Sequence, residues 1–553
     1  MSHPIYAQHQ DLLTSAVHAI DSRGYWSPYE ENPRAFGDDS IEAGRQAFEA
    51  YRDAQFYLDQ PGLIGRGGGE ESPYGISLNI SYPKCGADAL VAAAKSAMPS
   101  WIKAGPDTRA GVCAEILSRL HSRAHEMAFA VMHTTGQPFT MAYQAGSPHA
   151  LDRGLEAVAL AWREMKHVPY RAIWEKPQPG KPPLRVEKNY LVAPRGVALV
   201  IGCSTFPTWN SYPGLFASLV TGNAVIVKPH PGAILPLAIT VAVARQTLKD
   251  LGFEPDLVSL LVDTQAAPVT REVATKSDVR LIDYTGGPEF GQWLEENASQ
   301  AKVFAEKAGV NCVVVDSTDD YKGLLRNLAI TLSLYSGQMC TTPQVLLVSR
   351  EGVRTPDGVV AGEQFGRDLA MAIGKLLEDP ARAAEVLGAI QSPATAARID
   401  ACRDLGEVLR DSAPLGHPQF PNARVHTPLL LKVPASAQDT YGEERLGPIS
   451  FVVETAATTE SLAVAERLMR ERGAITFSVY ASDPMIQQLA EDVALRAEVS
   501  VAFNFTGGVF VNQSAAFSDF HATGANPAAN ASITDGSFVA DRFVVIQTRR
   551  PAP

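Results

Sequence analysis

Cysteine is scarce and scattered: six thiols lie between Cys85 and Cys402, with no CxxC pair and no histidine-rich partner segment. That pattern argues against a disulfide-stapled module and a structural zinc site, so no metal is expected, and it fits free thiols in a reducing compartment. Positive charge is also in deficit, with 48 Lys and Arg against 60 Asp and Glu for a net charge of −12. No long Lys/Arg cluster could follow a phosphate backbone, and nucleic acid is not expected as a partner. No uncharged apolar run reaches the ~18 residues of a membrane span. The opening MSHPIYAQHQ has no basic segment leading into an apolar one, so a soluble, cytoplasmic protein without membrane partners is expected. What the chain does have is bulk. Its 553 residues, 46% of them apolar, suffice for three or four domain-sized units of about 150 residues each.

Residues 1–70 are rich in Tyr, Asp and Glu and close on the glycine-rich stretch Gly65–Gly69, which reads as an N-terminal extension and its connector. A phosphate loop would need a strand before it and GK[ST] after it, and neither is present. Two packing helices are predicted, Ala87–Ala97 and Asp107–Leu120, the second capped by Asp107. From Val197 onward short Val/Ile-rich runs alternate with longer helical segments: Val197–Ile201, Ala224–Lys228, Val258–Val262, Val279–Ile282 and Cys312–Val315. This alternation predicts parallel sheets with covering helices, in two α/β units that meet near residue 310. The helices Leu237–Leu251, closed by Gly252, and Leu324–Tyr335 belong to them, as does the strand Val345–Val348. Between the early helices and the first unit, Lys176–Pro194 carries Pro177, Pro179, Pro182 and Pro183 and then a polar-apolar alternation. It is expected to project as an arm or edge ribbon. A strand at Arg542–Thr548 could pair with that ribbon or with another subunit.

Cys340 lies in Ser336-Gly337-Gln338-Met339-Cys340-Thr341-Thr342, after a predicted helix and before a strand, where small neighbours leave its sulfur accessible. Glu306 lies in Ala305-Glu306-Lys307-Ala308-Gly309, read as a glycine-containing turn before an apolar strand. Singly, either residue is unremarkable. Together they offer a thiolate nucleophile that forms a thioester and a carboxylate that activates water to release it.

These two segments, with four others in order, resemble the aldehyde dehydrogenase superfamily: Phe206-Pro207, Gly222-Asn223 with Lys228-Pro229, Thr285-Gly286-Gly287, and Glu443-Glu444-Arg445-Leu446-Gly447-Pro448. Cys340 follows Glu306 by 34 positions, the family's spacing. The resemblance covers about Ser72 to Arg550. It implies an α/β fold of two successive Rossmann-like domains with a protruding β oligomerisation arm: a cofactor-binding domain at 71–175 and 195–308, the arm at 176–194 and 538–553, and a catalytic domain at 309–537. The ribbon at 176–194 and the strand at 542–548 would leave unpaired edges on a monomer, so a homodimer or dimer of dimers is expected. Cys340 and Glu306 become nucleophile and general base, and Cys340 the thiol whose anion the site stabilises. Lys228 and Glu444 would bond the two riboses of a nicotinamide cofactor, Leu446 would pack nearby, and Gly286 and Gly287 would face its pyrophosphate at a helix N-terminus.

Departures from the family pattern carry information too. Thr205 stands where relatives have the asparagine of an oxyanion hole, so Thr205, or Asn210 if the loop is rebuilt, is expected to supply the side-chain donor. Pro231 stands where NAD-preferring relatives have a ribose-binding glutamate. With Lys228 and His230 as donors, NADP is expected to be accepted at least as well as NAD. The family's C-terminal substrate segment is replaced by Phe517-Ser518-Asp519-Phe520-His521-Ala522-Thr523-Gly524. With GCSTFPTWN and TGNAVIVKPHPGA, this is similar to phenylacetic acid degradation proteins of the ring-opening aldehyde dehydrogenase type, here without their C-terminal hydratase-like domain. The implied reaction is NAD(P)-dependent oxidation of an aldehyde, in particular a CoA-linked semialdehyde of aromatic catabolism, to the acid. The alternatives are acyl transfer to CoA and a catalytically silent binding protein with the same fold.

Overall fold

The computed structural model describes residues 4–511 and 515–552. Residues 1–3, 512–514 and 553, which the expected units include, lie outside the described residues. Five parallel strands form one sheet in the order Val258–Leu260, Ala224–Lys228, Val197–Ile201, Val279–Thr285, Lys302–Glu306. Its two central β-branched runs, Val197–Ile201 and Ala224–Lys228, are buried at every position, as strands covered on both faces must be. Glu306 is the last residue of a strand, paired with Thr285, and not in a turn as its sequence suggested. Lys302–Glu306 is too short and too charged to announce a strand, and pairing with Val279–Thr285 decides it.

A second sheet of seven strands runs Glu407–Arg410, Leu429–Pro434, Ile449–Thr455, Val345–Ser349, Cys312–Val315, Thr476–Tyr480, Ser500–Phe503, parallel except for the first. The chain passes from the end of Glu306 to the start of Cys312 in a few residues. The carboxyl edge of the first sheet therefore faces the amino edge of the second, and the cleft between them is where strand ends and loops from both sheets converge.

The glycine-rich stretch is not a free connector. Leu63–Gly67 pairs antiparallel with Tyr82–Cys85, and a Cβ on Gly68 would stand 2.4 Å from the Ile80 carbonyl oxygen, so glycine here permits close strand packing. Just beyond, buried Glu70 accepts from the Leu235 N–H at the start of the helix Leu235–Asp250. The helices Pro4–Ser22 and Asp38–Glu49 of the N-terminal region pack on the helices Ala87–His121 and Ala124–Thr135 respectively. The two helices expected between residues 87 and 120 form one bent element, broken at Gly105 (φ 81°). Asp107 sits inside its second half and bonds the Trp162 indole (2.7 Å) instead of capping. The ribbon begins earlier than expected: Arg171–Gln178 pairs with Lys181–Pro194, and Phe543–Pro551 adds a third antiparallel strand within the same chain. All six cysteines are free, and among the described residues no helix is long and apolar enough to cross a membrane.

Arg542 joins this third strand to the first sheet. Wholly buried, it donates to both oxygens of Asp283 (2.6 and 2.8 Å) and to Ser218 Oγ (2.8 Å), between the rings of Phe304 and Phe538. Removing one partner of such a pair strands a buried charge, at a cost of about 3–5 kcal/mol. Asp283→Asn should therefore lower the urea midpoint sharply, and Asp283→Leu combined with Arg542→Met should recover part of the loss. A single variant as stable as the parent would contradict this role.

Candidate active site

Cys340 is held by a strained turn. The helix Tyr321–Ser333 ends and the chain turns left-handed at Tyr335 (φ 50°), Ser336 (φ 50°) and Gly337 (φ 63°). Side chains rarely adopt this conformation, and it persists where surrounding bonds over-determine it. The Tyr335 hydroxyl donates to Thr135 O (2.6 Å) and Ser336 Oγ to Leu387 O (3.1 Å). Gln338 donates to Tyr335 O and Ala389 O (both 3.1 Å) and accepts from Gln391 N–H (2.9 Å). A Cβ at position 337 would stand 2.4 Å from Gly447 O, so only glycine fits. On the far side of the thiol, buried Asn311 donates to Cys340 O (2.7 Å) and Thr342 O (3.2 Å) and accepts from Ile475 and Thr476 N–H (2.9 and 3.0 Å).

Glu306 is buried beside this turn. Its Oε2 lies 3.2 Å from His521 Nε2 and 3.4 Å from Asn210 Nδ2, while Oε1 has no hydrogen-bond partner among the described residues. His521 Nε2 also lies 3.6 Å from Cys340 Sγ, and donor atoms of Glu306, Cys340 and His521 fall within 4.8 Å of one another. The sequence reading quoted His521 only inside an unusual segment. Its signal was faint, because Cys340, which it meets in the fold, lies 181 positions away. Of the two candidate oxyanion donors, the Thr205 hydroxyl is directed to Cys203 Sγ (4.0 Å), and Asn210 Nδ2 points to Glu306 and to Thr285 Oγ1 (3.3 Å).

Two cavities meet at the thiol. One, of about 1170 Å³, is lined by Thr205, Lys228, His230, Gly286, Gly287, Glu306, Cys340, Glu444 and Leu446, all nine residues singled out from the sequence. The other, of about 750 Å³, is lined by Met141, Phe206, Trp209, Phe505 and Phe520 among others. Cys340 is the residue common to both. The first cavity fits a dinucleotide. Gly287 caps the helix Pro288–Asn297, whose N-terminal N–H groups favour phosphate, and a Cβ there would project into open space. A side chain at Gly286 would instead strike the Tyr284 hydroxyl at 2.4 Å.

The electrostatics differ from the sequence reading at three points. Burial pushes the Cys340 thiol well above its ordinary value, and the Glu306 carboxylate beside it adds to the shift; the site as it stands does not stabilise the thiolate. Burial and the Lys228 ammonium push the His230 imidazole down to about 4, and its Nδ1 accepts from Gly232 N–H (3.0 Å), so it brings no positive charge at neutral pH. Lys228 is itself paired with buried Asp263 (2.7 Å). Asp263 reaches the lysine from the loop after the strand Val258–Leu260. Burial pushes the Glu444 carboxyl up to about 7, against the pull of Arg398 and with help from the Glu306 charge. Burial also raises Glu306, but the charge and hydrogen bond that His521 supplies in its protonated form, with a hydrogen bond from Cys340, outweigh it and leave the carboxyl below its ordinary value.

A sequence model of the aldehyde dehydrogenase family matches residues 82–495. The crystal structure of an NAD-dependent aldehyde dehydrogenase from Burkholderia multivorans superposes with a TM-score of 0.98, at 51% identity and over 100% of both chains. A 1-pyrroline-5-carboxylate dehydrogenase from Thermus with bound NAD has a TM-score of 0.75 at 18% identity over 96% of this chain and 99% of its own, a likeness of fold alone. Among curated proteins, N-succinylglutamate 5-semialdehyde dehydrogenase of Chromobacterium violaceum is 27% identical over 68% of this chain and 73% of its own. 1-Pyrroline-5-carboxylate dehydrogenase 1 of Halalkalibacterium halodurans is 24% identical over 66% and 70%. With the family's model spanning most of its length and a thiol set between two cavities, this chain belongs to the aldehyde dehydrogenase family and is an NAD(P)-dependent aldehyde dehydrogenase.

Proposed function

We propose that the enzyme oxidises a semialdehyde to its acid with Cys340 as nucleophile and Glu306 as the base that activates water. The observation that carries this reading is the position of Cys340 at the junction of the two cavities. An aldehyde entering from the aromatic side meets the sulfur within reach of the dinucleotide side. Lys228 and Glu444 hold the riboses, and Gly286 and Gly287 leave the helix N-terminus open to the pyrophosphate. The cofactor, when bound, supplies the hydride acceptor. Cys340 Sγ adds to the carbonyl carbon, and Asn210 or Thr205 with the Cys340 N–H carries the oxyanion. Glu306, with Oε1 unpartnered among the described residues, takes a proton from the water that cleaves the thioester. A retained water-activating carboxylate favours hydrolysis over transfer to CoA, and a silent scaffold would need neither Glu306 nor Cys340.

For the substrate we propose a CoA-linked semialdehyde of phenylacetate catabolism. Support comes from the segments Gly202–Asn210 and Phe517–Gly524, and from the semialdehyde substrates named for the curated relatives. For the arm, exposed Trp174, Leu184, Val545 and Ile546 support pairing with a second copy, in a homodimer or dimer of dimers.

The burst separates the two catalytic roles. Glu306→Gln should form the thioester and reduced cofactor once and then stall, Cys340→Ala should show no burst, and loss of the burst in both would refute the division. Added CoA should not change the product.

The cofactor choice turns on Asp263. The sequence reading favoured NADP because no carboxylate follows Lys228. With Asp263 beside that lysine and His230 neutral, we propose that NAD is preferred. Asp263→Asn should raise kcat/KM for NADP relative to NAD by about tenfold, of order one charge interaction near a partly buried site. A ratio unmoved by the substitution would remove Asp263 from cofactor recognition.

Light scattering tests the assembly. Ile546→Lys combined with Trp174→Glu should yield monomers if the arm joins subunits, and a wild-type monomer at micromolar concentration would refute the pairing.

A further inference from the structure

We propose that His521 is the proton acceptor that generates the Cys340 thiolate. Its single nitrogen Nε2 faces both the sulfur (3.6 Å) and Glu306 Oε2 (3.2 Å). A neutral imidazole with its proton on Nδ1 presents a lone pair to the thiol. Transfer breaks S–H and forms Nε2–H, leaving a thiolate and an imidazolium whose new N–H is within reach of Glu306. The imidazolium so formed faces both anions, and its attraction to the thiolate and to the carboxylate offsets the repulsion between them. Glu306 also accepts a hydrogen bond from the thiol and opposes its charge, but a proton taken there would neutralise the carboxylate that activates water, whereas transfer to His521 leaves it ionised. The thiolate then adds to the substrate carbonyl carbon, forming the C–S bond of the reading above.

The ring is held in place by contacts from several elements. His521 is 8% exposed, its backbone pairs with Ile533 in both directions (2.8 and 3.0 Å), and the Trp209 ring meets it edge-on with centroids 4.7 Å apart. The chain leading to it is fixed by an internal ion pair. Arg153 and Glu156, both almost wholly buried, bond each other (2.8 Å). Arg153 Nη1 also donates to Asp519 O (3.0 Å), and Glu156 Oε1 accepts from Phe517 N–H (3.0 Å). The charged or titratable groups around the pair come from separate elements: Glu306 from the first sheet, Cys203 and Glu444 from loops beside the thiol, Arg153 from the helix Pro148–Lys166, and Asp519 from the segment of His521 itself.

The test is alkylation of Cys340 by iodoacetamide in cofactor-free enzyme, followed by peptide mapping from pH 6 to 10, in wild type, His521→Gln and His521→Ala. The proposal rests on Cys340 as nucleophile, and the two can fail separately: preferential labelling of another cysteine defeats that assignment, whereas this inference is judged on the pH profile of Cys340 alone. At pH 7 both variants should label Cys340 about tenfold or more slowly, within the range of positioned bases, with the inflection moved to higher pH. Added imidazole should restore the rate in His521→Ala and not in His521→Gln, an outcome that a misfolded variant cannot give. Wild-type labelling rates and an unmoved inflection in both variants would overturn the proposal, as would slowing by the same factor at every pH with no rescue.

Discussion

One buried side chain, Asn311, holds the catalytic centre together. It stands between Glu306 and the first strand of the second sheet, and its amide spends all of its capacity on backbone: two carbonyls of the Cys340 loop on one side and two N–H groups of residues 475–476 on the other. Its own carbonyl accepts from Gln344 and Val345 N–H. An unpaired buried peptide group costs about 1–3 kcal/mol, so displacing this one amide would expose several such costs together. The Cys340 loop is thereby fixed in register with the start of the second sheet, a few residues from Glu306 at the end of the first.

Two further amides extend the same device. Gln338 closes the left-handed turn before the thiol and ties it to residues 389–391. Gln344 donates to the carbonyls of Tyr441 and Glu443 (3.2 and 2.7 Å) and so fixes the loop that presents Glu444. An uncharged amide suits this work. It offers two donors and an acceptor with two lone pairs, and it adds no net charge to a site whose chemistry depends on which neighbours are ionised. Fully bonded, such groups rigidify the strained turn at Tyr335–Gly337 instead of competing with the reacting atoms.

The sequence was legible where function sits on a strand end. Val/Ile runs marked most strands of the first sheet, and Lys228, Thr285-Gly286-Gly287 and Cys340 each occupy the few residues that follow or precede such a run. Local pattern therefore implied both fold and cleft. It failed where a residue's meaning comes from a distant partner. Glu306 was assigned to a turn because Lys302–Glu306 becomes a strand only beside Val279–Thr285. Gly65–Gly69 was read as a connector because flexibility and close packing call for the same residue. Lys228 gave no hint of Asp263, which reaches it from the loop after another strand of the sheet and pairs with its charge.

The two cavities differ in the same respect, and the difference bears on specificity. The dinucleotide side is built chiefly at the carboxyl edge of one parallel sheet, where the topology itself brings strand ends together and a few glycines and one helix N-terminus supply most of the recognition. The aromatic side has no such frame. Its wall takes Glu31 from the N-terminal region, Met141 and Arg153 from two helices, Trp209 from a third, Phe477 from the second sheet, and residues from the segments 505–511 and 515–521. Side chains from so many segments meet only because the N-terminal helices pack on the body of the enzyme and the Arg153–Glu156 pair pins the chain at 517–519. The proposed cofactor site thus rests mainly on one sheet, with Glu444 and Leu446 brought from beside the second, whereas the shape of the aromatic cavity is a property of the whole fold, and changes far from Cys340 in sequence can alter that shape without touching the thiol.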